Sequence, residues 1–217
     1  MSNAWTILKK GITVKSDILR DMIERHRELA ACEKEITGVF EILRDALAGG
    51  GKVLLCGNGG SAADCEHWSG EMLKGFEGDR PVTPDLRAQL GEDLADKLQG
   101  SLPVIPLTGF MSLSTAYAND CHSAYIFAQL VLGLGRKDDV LVVISTSGNS
   151  ENILYAVETA HALGLKAVGL TGNAGGVLKD VCDLCIRVPE EKTYRVQELH
   201  LPVYHAISLM LEEEFFG

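Results

Sequence analysis

The chain has 217 residues, 46% hydrophobic and 23% charged, which is enough for one well-packed domain or one domain with a helical extension. Thirty acidic against 20 basic residues leave a formal charge of −10, which argues against a broad nucleic-acid or anionic-membrane surface, where Lys and Arg must neutralise phosphate. No run approaches the ~20 continuous apolar residues of a membrane span. Trp5 to Val14 mixes lysines with scattered apolar residues rather than forming a signal-peptide block, so a cytoplasmic protein is expected.

Residues 7 to 48 read as two helices, with one apolar stripe at Ile18, Leu19, Met22 and Ile23 and a second at Ile36, Val39, Phe40, Leu43 and Leu47. Gly49-Gly50-Gly51 stops the second helix. Alternation follows: a strand at 52–56, a Gly-rich turn, a helix at 61–74, a strand at 103–107 and a helix at 124–132. Further strands are expected at 139–144, 166–170 and 184–188, with helices at 150–163 and 194–214. Between them, 78–84 reads as a loop and 85–98 as a short polar amphipathic helix. Near-continuous apolar strands alternating with helices imply a doubly wound α/β domain, a parallel sheet covered on both faces, over 51–217, with an N-terminal helical pair over 1–50. The six cysteines are scattered, mostly in apolar runs, and are expected as buried thiols; Cys182-x-x-Cys185 has no second pair to complete a zinc site.

Four patterns carry chemistry. Gly57-Asn58-Gly59-Gly60-Ser61 lies between strand and helix, where glycines let the backbone approach a ligand and free N–H groups favour an anion. A plain tight turn with Ser61 as helix N-cap is the alternative. Ser145-Thr146-Ser147-Gly148-Asn149-Ser150 occupies the same position after a later strand, and its four hydroxyls exceed what capping needs, which points to phosphate. His67 and Glu71 are spaced i, i+4 on one helix face, fitting a zinc ligand pair, an acid/base pair or a simple surface pair. On the last helix Gln197 and His205 are two turns apart and share a face, with His200 between them as a further candidate or a packed histidine; Glu212-Glu213-Glu214 reads as a solvated terminus.

Together these motifs resemble the sugar isomerase (SIS) domain family, most closely its phosphoheptose isomerase branch. The resemblance runs over nearly the whole chain through Gly57–Ser61, Asn119-Asp120, Ser145–Ser150, and Arg195 to His200 with His205 beyond. It implies a five-stranded flavodoxin-like sheet, a homotetramer with active sites between subunits, and no nucleic-acid or membrane partner. It also implies sugar contacts from Asn58, Gly59, Gly60, Asn119 and Asp120, and a phosphate site from Ser61, Ser145, Thr146, Ser147 and Ser150. His67, Glu71, Gln197 and His205 match the family's zinc positions, with Glu71 and His205 as the acid/base pair and Gln197 also facing substrate. The related non-catalytic branch lacks that full quartet. The implied reaction interconverts sedoheptulose 7-phosphate and D-glycero-D-manno-heptose 7-phosphate. The alternatives are a phosphosugar-binding or partner-docking module, or an isomerase of another sugar phosphate. Two departures stand out: 83–103 looks like an insertion relative to compact members, and Tyr194 occupies a position, three before Gln197, where an acidic residue is common.

Overall fold

The computed structural model describes residues 17–217. The part of the expected first helix before residue 17 therefore lies outside the described residues. Residues 17–25 form α1, followed by a 3₁₀ segment Arg27–Cys32 and helix α2, Glu33–Ala48. All five residues of the expected α2 stripe, Ile36, Val39, Phe40, Leu43 and Leu47, are buried.

The strands are β1 (Val53–Gly57), β2 (Val104–Pro106), β3 (Val140–Ile144), β4 (Lys166–Thr171) and β5 (Leu184–Arg187). They form one parallel sheet in the order β2-β1-β3-β4-β5. The other helices are α3 (Gly60–Leu73), α4 (Pro84–Leu90), α5 (Glu92–Ala95), α6 (Met111–Asp120), α7 (Ile126–Leu134), α8 (Glu151–Ala162), α9 (Leu178–Val181) and α10 (Thr193–Phe216).

Every residue of β1 and β3 is buried, because helices cover both faces of the sheet. The pleat sends alternate residues to opposite sides. Val53, Leu55, Val140, Val142 and Ile144 pack with α2, α3 and α10; Leu54, Cys56, Leu141 and Val143 pack with α7 and α8. Each such side chain contributes about 1.5–3 kcal/mol through burial. Truncating Leu141, which has no exposed surface, to Ala would cost about 2–5 kcal/mol once the cavity is counted.

In this strand order β1 and β3 are neighbours, while the chain leaving β1 goes first to β2 on its other side. That makes the β1/β3 boundary the topological switch point, where open α/β sheets bind ligands beyond the carboxyl ends of their strands. Gly57 pairs with Ile144, so the turns that follow β1 and β3 begin at the same level.

The structure departs from the sequence reading at several places. The helix expected at 85–98 is two short helices broken at Gly91, whose φ of 79° is a left-handed conformation. Helix α6 was not anticipated: its Ser, Thr and Asn content hides it, and it has no buried residue to set up a stripe. Cys32, Cys56 and Cys65 are buried as expected, but Cys121 is exposed and Cys182 and Cys185 are half-buried. Glu212 is buried rather than solvated. Among the described residues, no helix is long and apolar enough to cross a membrane.

Candidate active site

The Gly57–Ser61 turn enters α3 through Gly59, which sits at the N-cap with φ 56° and ψ −119°. No side chain caps this helix, so Ser61 is not the N-cap; it lies in the first turn and is buried beneath the loop. The turn closes on its own backbone instead, Ser61 N–H donating to the Asn58 carbonyl at 3.0 Å and Ala62 N–H to the Gly59 carbonyl at 3.1 Å. Gly60 is needed for a close approach, because a Cβ there would stand 2.3 Å from Nε2 of Gln197. The contact brings the last-helix glutamine directly onto the first turn.

The Ser145–Ser150 turn is built by backbone locks. Gly148 has φ 66°, and a Cβ on it would meet the Gly175 carbonyl oxygen at 2.0 Å. Leu178 N–H donates to the Gly148 carbonyl and Val177 N–H to Asn149 Oδ1, clamping the turn to the loop after β4. Ser150 occupies the N-cap of α8 but makes no capping bond. Its hydroxyl instead lies 3.2 Å from that of Ser145, close enough for both to address one oxygen of a ligand. Ser147 is exposed, with its Oγ accepting from Asn149 N–H, and Thr146 is half-buried. The first turn is tied to the start of α8 by a reciprocal amide pair: Asn58 Nδ2 donates to Asn152 Oδ1 at 2.9 Å, and Asn152 Nδ2 to Asn58 Oδ1 at 2.8 Å.

Two to three turns along α3 lies the ionisable cluster. His67 Nε2 is 3.2 Å from Glu71 Oε1, and Lys74 Nζ is 3.3 Å from Glu71 Oε2. His67 Nδ1 is 2.9 Å from the Tyr204 hydroxyl, and the His67 ring meets the His205 ring edge-on at 5.2 Å between centroids. Tyr204 stacks on buried Trp68, and Phe76 closes over His205 with a centroid distance of 5.2 Å. Burial, and then the nearby His67, lower the His205 pKa against the pull of Glu71. Burial raises the Tyr204 phenol and the Asp64 carboxyl beside it above their ordinary ranges.

The donors present suit zinc: two imidazoles, a carboxylate and an amide oxygen, with the buried His205 Nε2 lacking any hydrogen-bond partner. They do not form a closed cage, since among the described residues no three His, Cys, Asp or Glu are grouped for a metal. His67 is instead engaged at both nitrogens, by Tyr204 and Glu71.

The structure thus gathers Asn58, Gly59, Gly60, Gln197 and the Ser145–Ser150 hydroxyls at the switch point, and His67, Glu71 and His205 at the α3–α10 seam. Asn119 and Asp120 stand apart at the exposed end of α6, where Asn119 Nδ2 donates to Asp120 Oδ1. His200 takes its packed reading: it is fully buried, with Nε2 3.3 Å from the Thr171 carbonyl oxygen. Sequence reasoning missed Asp64, Tyr204 and Asn152. Asp64 could have been found, because it continues the His67–Glu71 face one turn back; Asn152 and Tyr204 carry no spacing signal.

Hydroxyl-rich and glycine-rich turns at the switch point of a 2-1-3-4-5 parallel sheet define a domain for phosphorylated small molecules, and the sequence profile of the SIS domain family matches residues 18–172. The chain belongs to the SIS domain family. Its relatives place it in the phosphoheptose isomerase branch of that family. It is 35% identical to the phosphoheptose isomerase of Akkermansia muciniphila over 206 residues, covering 93% of this chain and 99% of the relative. It is 44% identical to that of Thiobacillus denitrificans over 179 residues, 81% of each chain. The solved structure of a phosphoheptose isomerase from Francisella tularensis superposes with a TM-score of 0.73 at 32% identity, covering 97% and 98% of the two chains.

Proposed function

We propose that this chain is a phosphoheptose isomerase that interconverts sedoheptulose 7-phosphate and D-glycero-D-manno-heptose 7-phosphate through an enediol. The observation that carries this reading is the His67-bridged placement of Glu71 and His205, two to three helical turns beyond a Gly60–Gln197 contact that lies at the level of the phosphate-type turn. Its support from relatives is broad, since the names above belong to proteins matched over most of their length.

Aldose–ketose exchange moves one proton between adjacent carbons and another between their oxygens, so it needs a base and an acid. Glu71 takes the carbon-bound proton and returns it to the neighbouring carbon. His205 hands a ring proton to the carbonyl oxygen and recovers one from the adjacent hydroxyl. Ser145, Thr146, Ser147 and Ser150 hold the phosphate with neutral hydrogen bonds and backbone amides, with Ser61 beneath the first turn; Asn58, Gly59, Gly60 and Gln197 hold the sugar. Phe76 and Tyr204 wall the acid/base pair from water. His67, Glu71, Gln197 and His205 are the residues that would hold zinc, which supplies polarisation of the carbonyl and adjacent hydroxyl when bound. Glu71 presents two separately addressed oxygens, Oε1 to His67 and Oε2 to Lys74, which lets a ligand role and a proton-carrying role fall on different atoms.

The reading includes a cytoplasmic homotetramer. Its support is α6, which buries nothing within the chain and leaves Met111 70% exposed, a face suited to a second copy.

Glu71→Gln keeps the shape of the side chain and removes the base. It is expected to reduce turnover of sedoheptulose 7-phosphate by about 10²–10⁴-fold while calorimetry shows the phosphosugar still bound. A variant with parental turnover removes Glu71 from the chemistry, and a parent that binds without turnover is a binding module instead.

A further inference from the structure

The acid/base pair sits on two elements, Glu71 on α3 and His205 on α10, and a third group fixes their separation. Arg80, on the loop after α3, has no exposed side-chain surface, and its Nε donates to Glu212 Oε1 at 2.6 Å. Glu212 lies on α10 seven residues beyond His205, two turns along the same face. The rest of the guanidinium fork goes to the end of α3: Nη1 donates to the Met72 carbonyl at 2.8 Å and Nη2 to the Glu71 carbonyl at 3.0 Å. Those are acceptors that a helix end leaves without intrahelical partners.

The Glu212 carboxylate is spoken for in turn. Oε1 accepts from Phe76 N–H at 2.8 Å, and Oε2 accepts from Glu77 N–H at 3.0 Å and Gly78 N–H at 2.9 Å. Phe76, held by its backbone, is the residue whose ring packs on His205. One ion pair therefore grips the backbone of Glu71 on one side and, through Phe76, the ring of His205 on the other. A buried charge pair is a poor source of stability, since well-packed apolar groups usually do as well. Its bonding pattern serves geometry instead, and the planar fork that reaches three acceptors is one Lys cannot copy.

We propose that Arg80 and Glu212 are positioning residues that hold Glu71 and His205 at their working separation; the kinetic part rests on the isomerase reading above. The test uses the full chain and the variants Arg80→Lys and Glu212→Gln. First, the ring-current shift of the His205 Hε1 signal is read by proton NMR, assigned with His205→Gln. Second, kcat and KM for sedoheptulose 7-phosphate are measured separately. Both variants are expected to melt cooperatively, to move the His205 signal toward its free-imidazole position, and to lower kcat by about 10–100-fold, the range for outer-shell partners of a site. KM is expected to stay within about twofold, because the phosphate turn lies on other elements. An unmoved His205 signal in a folded variant overturns the proposal, as does a loss that falls on KM alone. If Arg80→Lys fails to fold, Glu212→Gln decides on the same two readouts, and if neither folds the pair is structural and the proposal fails. A parent that does not turn over the heptulose counts against the isomerase reading only, since the NMR shift still reports the positioning.

Discussion

Replacing Gly60 with Ala separates the site from the fold. A Cβ at residue 60 would stand 2.3 Å from Nε2, 2.9 Å from Cδ and 3.2 Å from Oε1 of Gln197, while ordinary contacts begin near 3.4 Å. The amide must therefore retreat by about 1 Å, a displacement that costs roughly 10²-fold in rate when it falls on a positioned group. Stability moves the other way. Residue 60 opens α3 and does not have a positive φ, so Ala is conformationally allowed and gains up to about 1 kcal/mol of helix preference. The expected result is a melting temperature at or above the parent's with kcat/KM lowered about 100-fold. A cycle with Gln197→Ala isolates the cause: each single change is expected to lose a similar factor, and the double to lose little more than either. Losses that multiply would show that the methyl acts elsewhere than on Gln197, and an unchanged rate in Gly60→Ala would refute the close-approach argument outright.

Three further outcomes are expected. Ser147→Ala combined with Ser150→Ala should raise KM for the phosphosugar at least tenfold with kcat within a few-fold, since hydrogen bonds to a charged group are worth about 1.5–3 kcal/mol each; unchanged phosphosugar affinity by calorimetry would remove the phosphate assignment. Burial lowers His200 to about 4, opposed by its bond to the Thr171 carbonyl, so between pH 6.5 and 4 the unfolded chain binds a proton that the folded chain refuses. Stability is full above the unfolded value and falls on acidification through that window, by up to about 3 kcal/mol at roughly 1.4 kcal/mol per unit; urea titrations at pH 7 and pH 5 should show a drop that His200→Gln reduces, and equal slopes in both proteins would contradict the burial argument. Gly148→Ala should lose stability and cooperativity, because the methyl collides with the Gly175 backbone as well as occupying a left-handed position; a melting temperature equal to the parent's would show that the two loops are not locked.

The strands and long helices were legible because burial on both faces makes β1 and β3 continuous apolar runs and gives α2 a clean stripe. The two turns were legible because their residue types exceed what a tight turn requires. What stayed hidden has a common cause. Helix α6 buries nothing within the chain, so no periodicity marks it, and the 83–103 segment owes its break to a single glycine at residue 91. Glu212 reads as one of three acidic residues at a terminus, and only its pairing with Arg80, 132 positions away, reveals a buried role. Likewise Tyr204 reaches His67 across 137 positions and Asn58 reaches Asn152 across 94, separations that no local pattern encodes.

The measurement that bears most directly on the isomerase reading is NMR of sedoheptulose 7-phosphate incubated with the purified chain, with added zinc and with a chelator. Formation of an aldoheptose 7-phosphate that stops on chelation and returns with zinc is the expected result. Turnover indifferent to metal would keep Glu71 and His205 as the acid/base pair and discard the zinc role. No aldoheptose under any of these conditions would contradict the proposed reaction.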